Sequence, residues 1–211
     1  MPKLILILLL ALLPATSGFA QTDTPFFNVE LLLFQRTNAA AGSSEYWSRS
    51  TDIPFKANAV NIQYQKSVGY TLLPDSSREL SPDRIALERA GGYQPLLHVK
   101  WRQPGLSKKR ALPIYLKGQN LEGTVTISLS RYLHANFDML LNRFSPNAGE
   151  YISHPFQEHR KMRSNELHYV DHPLLGALIK ITRHQTTAPE KPPEQATPEQ
   201  TDTEEKTIQP N

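Results

Sequence analysis

His159-Arg160-Lys161-Met162-Arg163-Ser164-Asn165-Glu166-Leu167-His168-Tyr169-Val170-Asp171-His172-Pro173-Leu174-Leu175-Gly176 is the stretch on which the reading of the fold turns. Ser164 suits a helix N-cap, Asn165 and Glu166 suit a first helical turn, and Pro173 disfavours helix at the residue before it. The pattern predicts a short helix over residues 164–171. An extended run enters it through Arg160 and Met162, and another leaves through Leu175, Ala177, Ile179 and Ile181. At helical spacing His168 and His172 share a face. So many ionisable groups in one connection need partners from elsewhere, which makes the segment either a structural lock or a binding site.

Upstream, Val125, Ile127, Leu129, Leu133, Ala135, Phe137, Met139 and Leu141 share one parity, with Thr124, Ser128, Ser130, Tyr132, His134 and Asn136 on the other. That is the signature of one long amphipathic strand over residues 121–144, bent or bulged somewhere, with one wet face. Between Val125 and Leu141, Arg131 is the charged residue on the apolar parity. Residues 144–149 are a turn, after which the chain returns as a hairpin into the opening stretch. Nearer the start, Phe27, Val29, Leu31 and Leu33 alternate as a strand with one face buried. Residues 38–66 have no sustained period; Tyr46 and Trp47 within them are read as docking on the core, with stacking on a ligand as the alternative. Ser81-Pro82-Asp83 opens a helix that Gly91 closes. Residues 93–104 follow as a strand with Leu97, Val99 and Trp101 on one side and His98, Lys100 and Arg102 on the other, and residues 112–117 as a short one. The order implies an α+β fold: a mainly antiparallel sheet with two short helices on one face, in the βαββαβ ferredoxin-like manner with a long hairpin. A β-rich α+β sheet of another topology is the alternative.

Composition bounds the setting. Met1-Pro2-Lys3, an unbroken apolar run over residues 4–13 and small residues ending at Ala20 describe a secretory signal, residues 1–20. Ten apolar residues are too few for a membrane span, which needs about 20, so no transmembrane anchor is expected after cleavage. With no cysteine there is neither disulfide nor acylation site, which points to a soluble periplasmic protein. Residues 185–211 are rich in Pro, Glu, Thr and Gln and predict a disordered acidic tail, leaving residues 21–184 as one domain. The tail holds six acids and two lysines, so the formal +3 becomes +7 for residues 1–184 and +6 without Lys3. A basic periplasmic domain suits an anionic wall polymer, and the compartment excludes nucleic acid.

Candidate ligand-binding residues are Arg102, Tyr132, His134, His98 and Lys100, placed together on an uncovered polar sheet face. A second group, Arg131, Arg163, Glu166, His168, Asp171 and His172, forms a structural ion-pair lock of helix to sheet. Arg131 is its buried member, paired with Glu166 or Asp171. A carboxylate-binding pocket at Arg131 is the sharper alternative. His168-x-x-x-His172 has metal-ligand spacing but lacks the glutamate of the zinc-protease signature. No glycine-framed serine, cysteine or phosphate-cradling loop is present. The sequence therefore reads as non-enzymatic, with no metal and no cofactor.

Trp101-Arg102-Gln103-Pro104, Arg131-Tyr132-Leu133-His134, Met162-Arg163-Ser164-Asn165-Glu166-Leu167-His168-Tyr169 and Asp171-His172-Pro173-Leu174-Leu175-Gly176 now stand together with Val29-Glu30-Leu31-Leu32-Leu33-Phe34 and Leu96-Leu97-His98. In order, these runs resemble the CsiV family of periplasmic peptidoglycan-binding proteins over most of residues 27–181. The resemblance implies an exported, non-enzymatic protein that binds peptidoglycan and supports cell-wall synthesis. It also implies a partner, the outer-membrane lipoprotein activator of a class A penicillin-binding protein. No site residue is carried over from it. Lys161 stands where a second arginine is expected, which weakens any bidentate contact there. Two rivals are a metal-dependent wall hydrolase using His168, Asp171 and His172, and a periplasmic adaptor binding only protein.

Overall fold

The computed structural model describes residues 24–38, 58–63, 69–145 and 149–185. The expected signal, Tyr46 with Trp47, and the tail beyond residue 185 lie outside them. The described strands are β1 (Phe26–Arg36), β2 (Thr71–Leu72), β3 (Tyr93–Pro104), β4 (Ile114–Gly118), β5 (Leu121–Leu129), β6 (Leu133–Ser145), β7 (Glu150–Met162), β8 (Leu167–Asp171) and β9 (Leu175–Arg183). The helix α1 (Ser81–Ala90) lies between β2 and β3. A five-stranded sheet has the order β2-β3-β1-β9-β8, and a four-stranded sheet the order β4-β5-β6-β7. Every strand pair is antiparallel.

The core lies between the two sheets. In the first, β1 is central, and its inward residues form rows with both neighbours: Trp101–Val29–Ile181, Val99–Leu31–Ile179 and Leu97–Leu33–Ala177. Against them pack Ile127, Ala135, Phe137, Met139, Leu141 and Phe156 of the second sheet. Such burial contributes roughly 1.5–3 kcal/mol for each large apolar side chain. The opposite side of β1 is covered as well, and Leu32 there is fully buried. This explains why the run Leu31-Leu32-Leu33-Phe34 is apolar without interruption.

The α+β expectation is therefore corrected. The chain is a two-sheet antiparallel β-sandwich with one helix among the described residues, and neither the second helix nor the ferredoxin-like order is present. Two local features account for the difference. Residues 164 and 165 form a turn, with Asn165 in the left-handed region at φ 67°. The chain then pairs with β9 from Leu167↔Lys180 to Asp171↔Gly176. Leu167, Tyr169 and Asp171 face solvent while Val170 and His172 are buried, a period of two and not of helix.

The long strand over residues 121–144 is the hairpin β5–β6, with Leu129 paired to Leu133 across Ser130, Arg131 and Tyr132. A three-residue connection leaves the inward parity unchanged, so two strands read as one. The helix at residues 81–90 and the hairpin β6–β7 form where the sequence places them, and β4 begins two residues inside the predicted strand. Helix α1 begins differently from expectation: Leu80 occupies the N-cap without a side-chain cap, and Ser81 is the first helical residue.

The free side of β4 is not bare. Val60 bridges Ile114 in parallel, and the Gln63 amide donates to the Lys117 carbonyl at 3.1 Å while its oxygen accepts the Lys117 N–H at 2.8 Å.

Candidate functional site

Two polar regions sit on opposite outer faces of the sandwich. On the first sheet, Lys100, Glu30 and Lys180 form one row across β3, β1 and β9. Glu30 Oε1 accepts from the Leu80 N–H and from His98 Nε2, and Oε2 accepts from the Glu79 N–H, all at 2.8 Å. Lys100 Nζ donates to the Ser77 carbonyl at 2.6 Å and to Glu79 at 2.7 Å, and lies 3.4 Å from Glu30. Lys180 Nζ donates to the other Glu79 oxygen at 2.8 Å. Burial by itself pushes the Glu30 carboxyl up; the bonds from His98, Glu79 and Leu80, with Lys100 beside it, outweigh this and hold it at about 2. Bonds from Lys100 and then Lys180 likewise lower Glu79.

The network joins the segment ahead of α1 to the sheet. It also corrects the expected ligand face: the side chains of His98 and Lys100 are only 5% and 7% exposed. Both are largely covered by the segment ahead of α1, and their polar atoms engage Glu30, Glu79 and the Ser77 carbonyl. Arg102, on the same outer face, is half-buried and donates from Nε to Asn28 Oδ1 at 3.0 Å. Tyr132 and His134 belong to the other sheet, so the five candidates do not share a surface.

The second sheet carries an open polar face. Its rows are Ser128–His134–Lys161 and Thr126–Asn136–His159. His134 and His159 stack at 5.2 Å, with Nδ1 of the first 3.0 Å from Nε2 of the second. Ser130 Oγ lies 3.2 Å from His134 Nε2. Burial first, then the neighbouring His159, Lys161 and Lys108, lowers the His134 imidazole below its ordinary range. A hollow of about 320 Å³ between Lys108, Ser130, His134 and His159 marks this face.

Beside it, at the end of the sandwich, is a pocket of about 320 Å³ under the β5–β6 turn. Arg131, Arg163 and Arg183 surround it, with Tyr132 and Ser164. Phe27, Leu129, Leu133 and Met162 are its apolar lining. Lys161 Nζ sits 3.9 Å from the centre of the Tyr132 ring, and the Arg131 guanidinium 5.8 Å from it. The turn overturns the buried-lock reading of Arg131. Its side chain is exposed, because the strand ends at Leu129, and it reaches neither Glu166 nor Asp171. Among the described residues Arg131 and Arg183 have no carboxylate within 4.0 Å.

The remaining lock residues fall into separate groups. Glu166 lies 3.9 Å from Arg163 and 3.5 Å from His168, all in or beside the turn before β8. Asp171 pairs instead with Arg36 and accepts from the Tyr169 hydroxyl at 2.7 Å. His172 is buried; its Nδ1 accepts the Leu174 N–H at 3.3 Å and its ring meets Phe156 edge to face at 5.5 Å. Asp171 thus points away from the side that holds His172. Among the described residues no three metal-ligating side chains converge.

Arg183, Lys108 and the hub Glu30 are not singled out as site residues by the sequence. Glu30 had a signal, a lone acid within an otherwise apolar run. Arg183 had none, because only the β1–β9 pairing places a strand end beside a turn fifty residues earlier.

No curated protein and no solved structure matches the chain. A family model described as "Peptidoglycan-binding protein, CsiV" matches residues 3–184. The match spans β1 through β9, both sheets and the arginine pocket. The chain belongs to the CsiV family of peptidoglycan-binding proteins.

Proposed function

We propose that this is an exported, non-enzymatic protein of the periplasm that holds peptidoglycan at the end of the sandwich formed by the β5–β6 turn. The observation that carries the reading is the pocket of Arg131, Arg163 and Arg183, in a chain whose family is described as peptidoglycan-binding. The wall polymer bears carboxylates on its peptides, and guanidinium groups match carboxylates in shape and charge. The open face of β5, β6 and β7, with Lys108 and Lys161, extends the positive surface away from the pocket. Residues 1–20 act as the export signal, residues 21–184 as the binding domain and residues 185–211 as an acidic spacer.

In this reading the bound protein supports wall synthesis through the outer-membrane lipoprotein activator of a class A penicillin-binding protein. The family resemblance alone supports that partner. The test is sedimentation of the purified mature protein with isolated sacculi, followed by fragment analysis. The protein is expected in the pellet with the muropeptide profile unchanged. Protein left in the supernatant, or soluble fragments whose release stops with chelator, contradicts the proposal.

A further inference from the structure

We infer that the arginine pocket takes the free chain-end carboxylate of a peptide stem and does not read the sugars; this rests on the peptidoglycan reading above. The pocket gathers Arg131, Arg163 and Arg183 around one opening, and no acidic side chain lines it. With no carboxylate within 4.0 Å of Arg131 or Arg183 among the described residues, a ligand's carboxylate displaces water there and breaks no ion pair at those two. Arg163 keeps only a 3.9 Å contact with Glu166, and its side chain is 71% exposed.

The donor and acceptor balance separates peptide from glycan. A neutral sugar presents hydroxyls that both donate and accept, whereas guanidinium groups only donate. Ser164 and Tyr132 supply the only side-chain oxygens among the residues that line the pocket. The Ser164 hydroxyl already donates to the Ile181 carbonyl at 3.3 Å. Sugars also stack on aromatic faces, and the Tyr132 ring already carries the Lys161 ammonium at 3.9 Å. The apolar floor of Phe27, Leu133 and Met162 suits instead the methyl group next to the terminal carboxylate of an alanine-ended stem. Size agrees: at about 320 Å³ the pocket is at the low end of the ~300–1,000 Å³ typical of ligand sites, which fits a chain end better than a run of sugars.

Three soluble probes decide it, each titrated directly against the full mature protein with resonances of the arginine side chains observed. They are a stem peptide ending in D-alanine, the same peptide as its C-terminal amide, and peptide-free glycan strands. The free acid is expected to bind and to shift Arg131 and Arg183, with the amide at least about tenfold weaker, since a charge-assisted pair of bonds is lost. R131K should weaken the free acid and leave the amide unchanged, because lysine keeps the charge but not the bidentate fork. Arg131 is exposed on a turn, so an unchanged melt certifies the variant as folded. Equal binding of acid and amide overturns the inference, as does glycan binding at these arginines or displacement of the peptide by inorganic phosphate at equal concentration. Sacculus sedimentation runs in parallel, so that a wall binder with the wrong moiety assigned is told apart from a protein that does not bind wall.

Discussion

Replacing Glu30 by glutamine keeps shape and volume but converts one of two acceptor oxygens into a donor. Oε1 faces the Leu80 N–H and His98, whereas Oε2 faces the Glu79 N–H and Lys100. Whichever way the amide turns, one buried backbone N–H meets an NH₂ group and loses its acceptor, at about 1–3 kcal/mol. Removing the charge also takes from Lys100 its 3.4 Å partner, but Lys100 retains Glu79 and the Ser77 carbonyl and is not stranded, so this adds about 1 kcal/mol and the total is about 3 kcal/mol. The same contacts appear in the titration of the group. Holding the Glu30 carboxyl at about 2, against 4.5 for the free group, corresponds to about 3 kcal/mol. The sign follows from a lowered acid: its contribution is complete above pH 4.5 and disappears as pH falls toward 2. Urea unfolding monitored by tryptophan fluorescence at a series of pH values should therefore show two things. The variant is less stable by about 3 kcal/mol at pH 7, and it lacks much of the wild-type loss between pH 4.5 and 2. A variant within about 1 kcal/mol of wild type that keeps the full acid slope refutes the view that Glu30 is the hub.

Arg131→Ala should melt within about 0.5 kcal/mol of wild type, as an exposed turn residue, yet lose most sacculus binding. Arg102→Ala, on the opposite outer face, should cost about 1 kcal/mol through its bond to Asn28 and leave sedimentation intact. Gly123→Ala should destabilise by at least about 2 kcal/mol in thermal or urea melts. Its φ is 148°, and an added Cβ would lie 2.3 Å from the Asp138 carbonyl oxygen. His134 should titrate below the ordinary histidine range by NMR, and His159→Gln should bring it back up by removing one neighbouring positive charge. A lowered histidine stabilises the fold above its unfolded pKa, so this small contribution fades as pH falls through the folded value.

Strand positions were legible wherever a period of two ran alone. β1 and β3 follow from Val29-x-Leu31-x-Leu33 and Leu97-x-Val99-x-Trp101, and α1 from its proline and glycine punctuation. The error came where local chemistry imitated another structure. Ser164-Asn165-Glu166 offers good helix-start residues, but asparagine also tolerates positive φ, and the pairing with β9 selects the turn. The sandwich itself was hidden because parity identifies faces without saying which sheet owns them. The same ambiguity grouped His98 and Lys100 with Tyr132 and His134, although they lie on opposite outer faces. Arg131 was placed correctly as an anomaly in the pattern and wrongly as buried. Its break in parity marked a turn, and the alternative of a carboxylate pocket at Arg131 gains from that exposure.

A β-sandwich has four lateral margins, and each one here is blunted against adding a strand from another molecule. At β2 the margin is two residues long, and at β8 it is five, ending in Asp171. β7 is long but carries Pro155, Glu158, Arg160 and Lys161, which discourage a flat apolar edge. β4 is occupied from within the chain by Val60 and by the Gln63 amide, which imitates a neighbouring backbone at Lys117. The sequence has no cysteine, so these margins are guarded without any disulfide. Its described margins are thus short, charged, proline-bearing or already occupied, each a poor match for a strand arriving from another molecule.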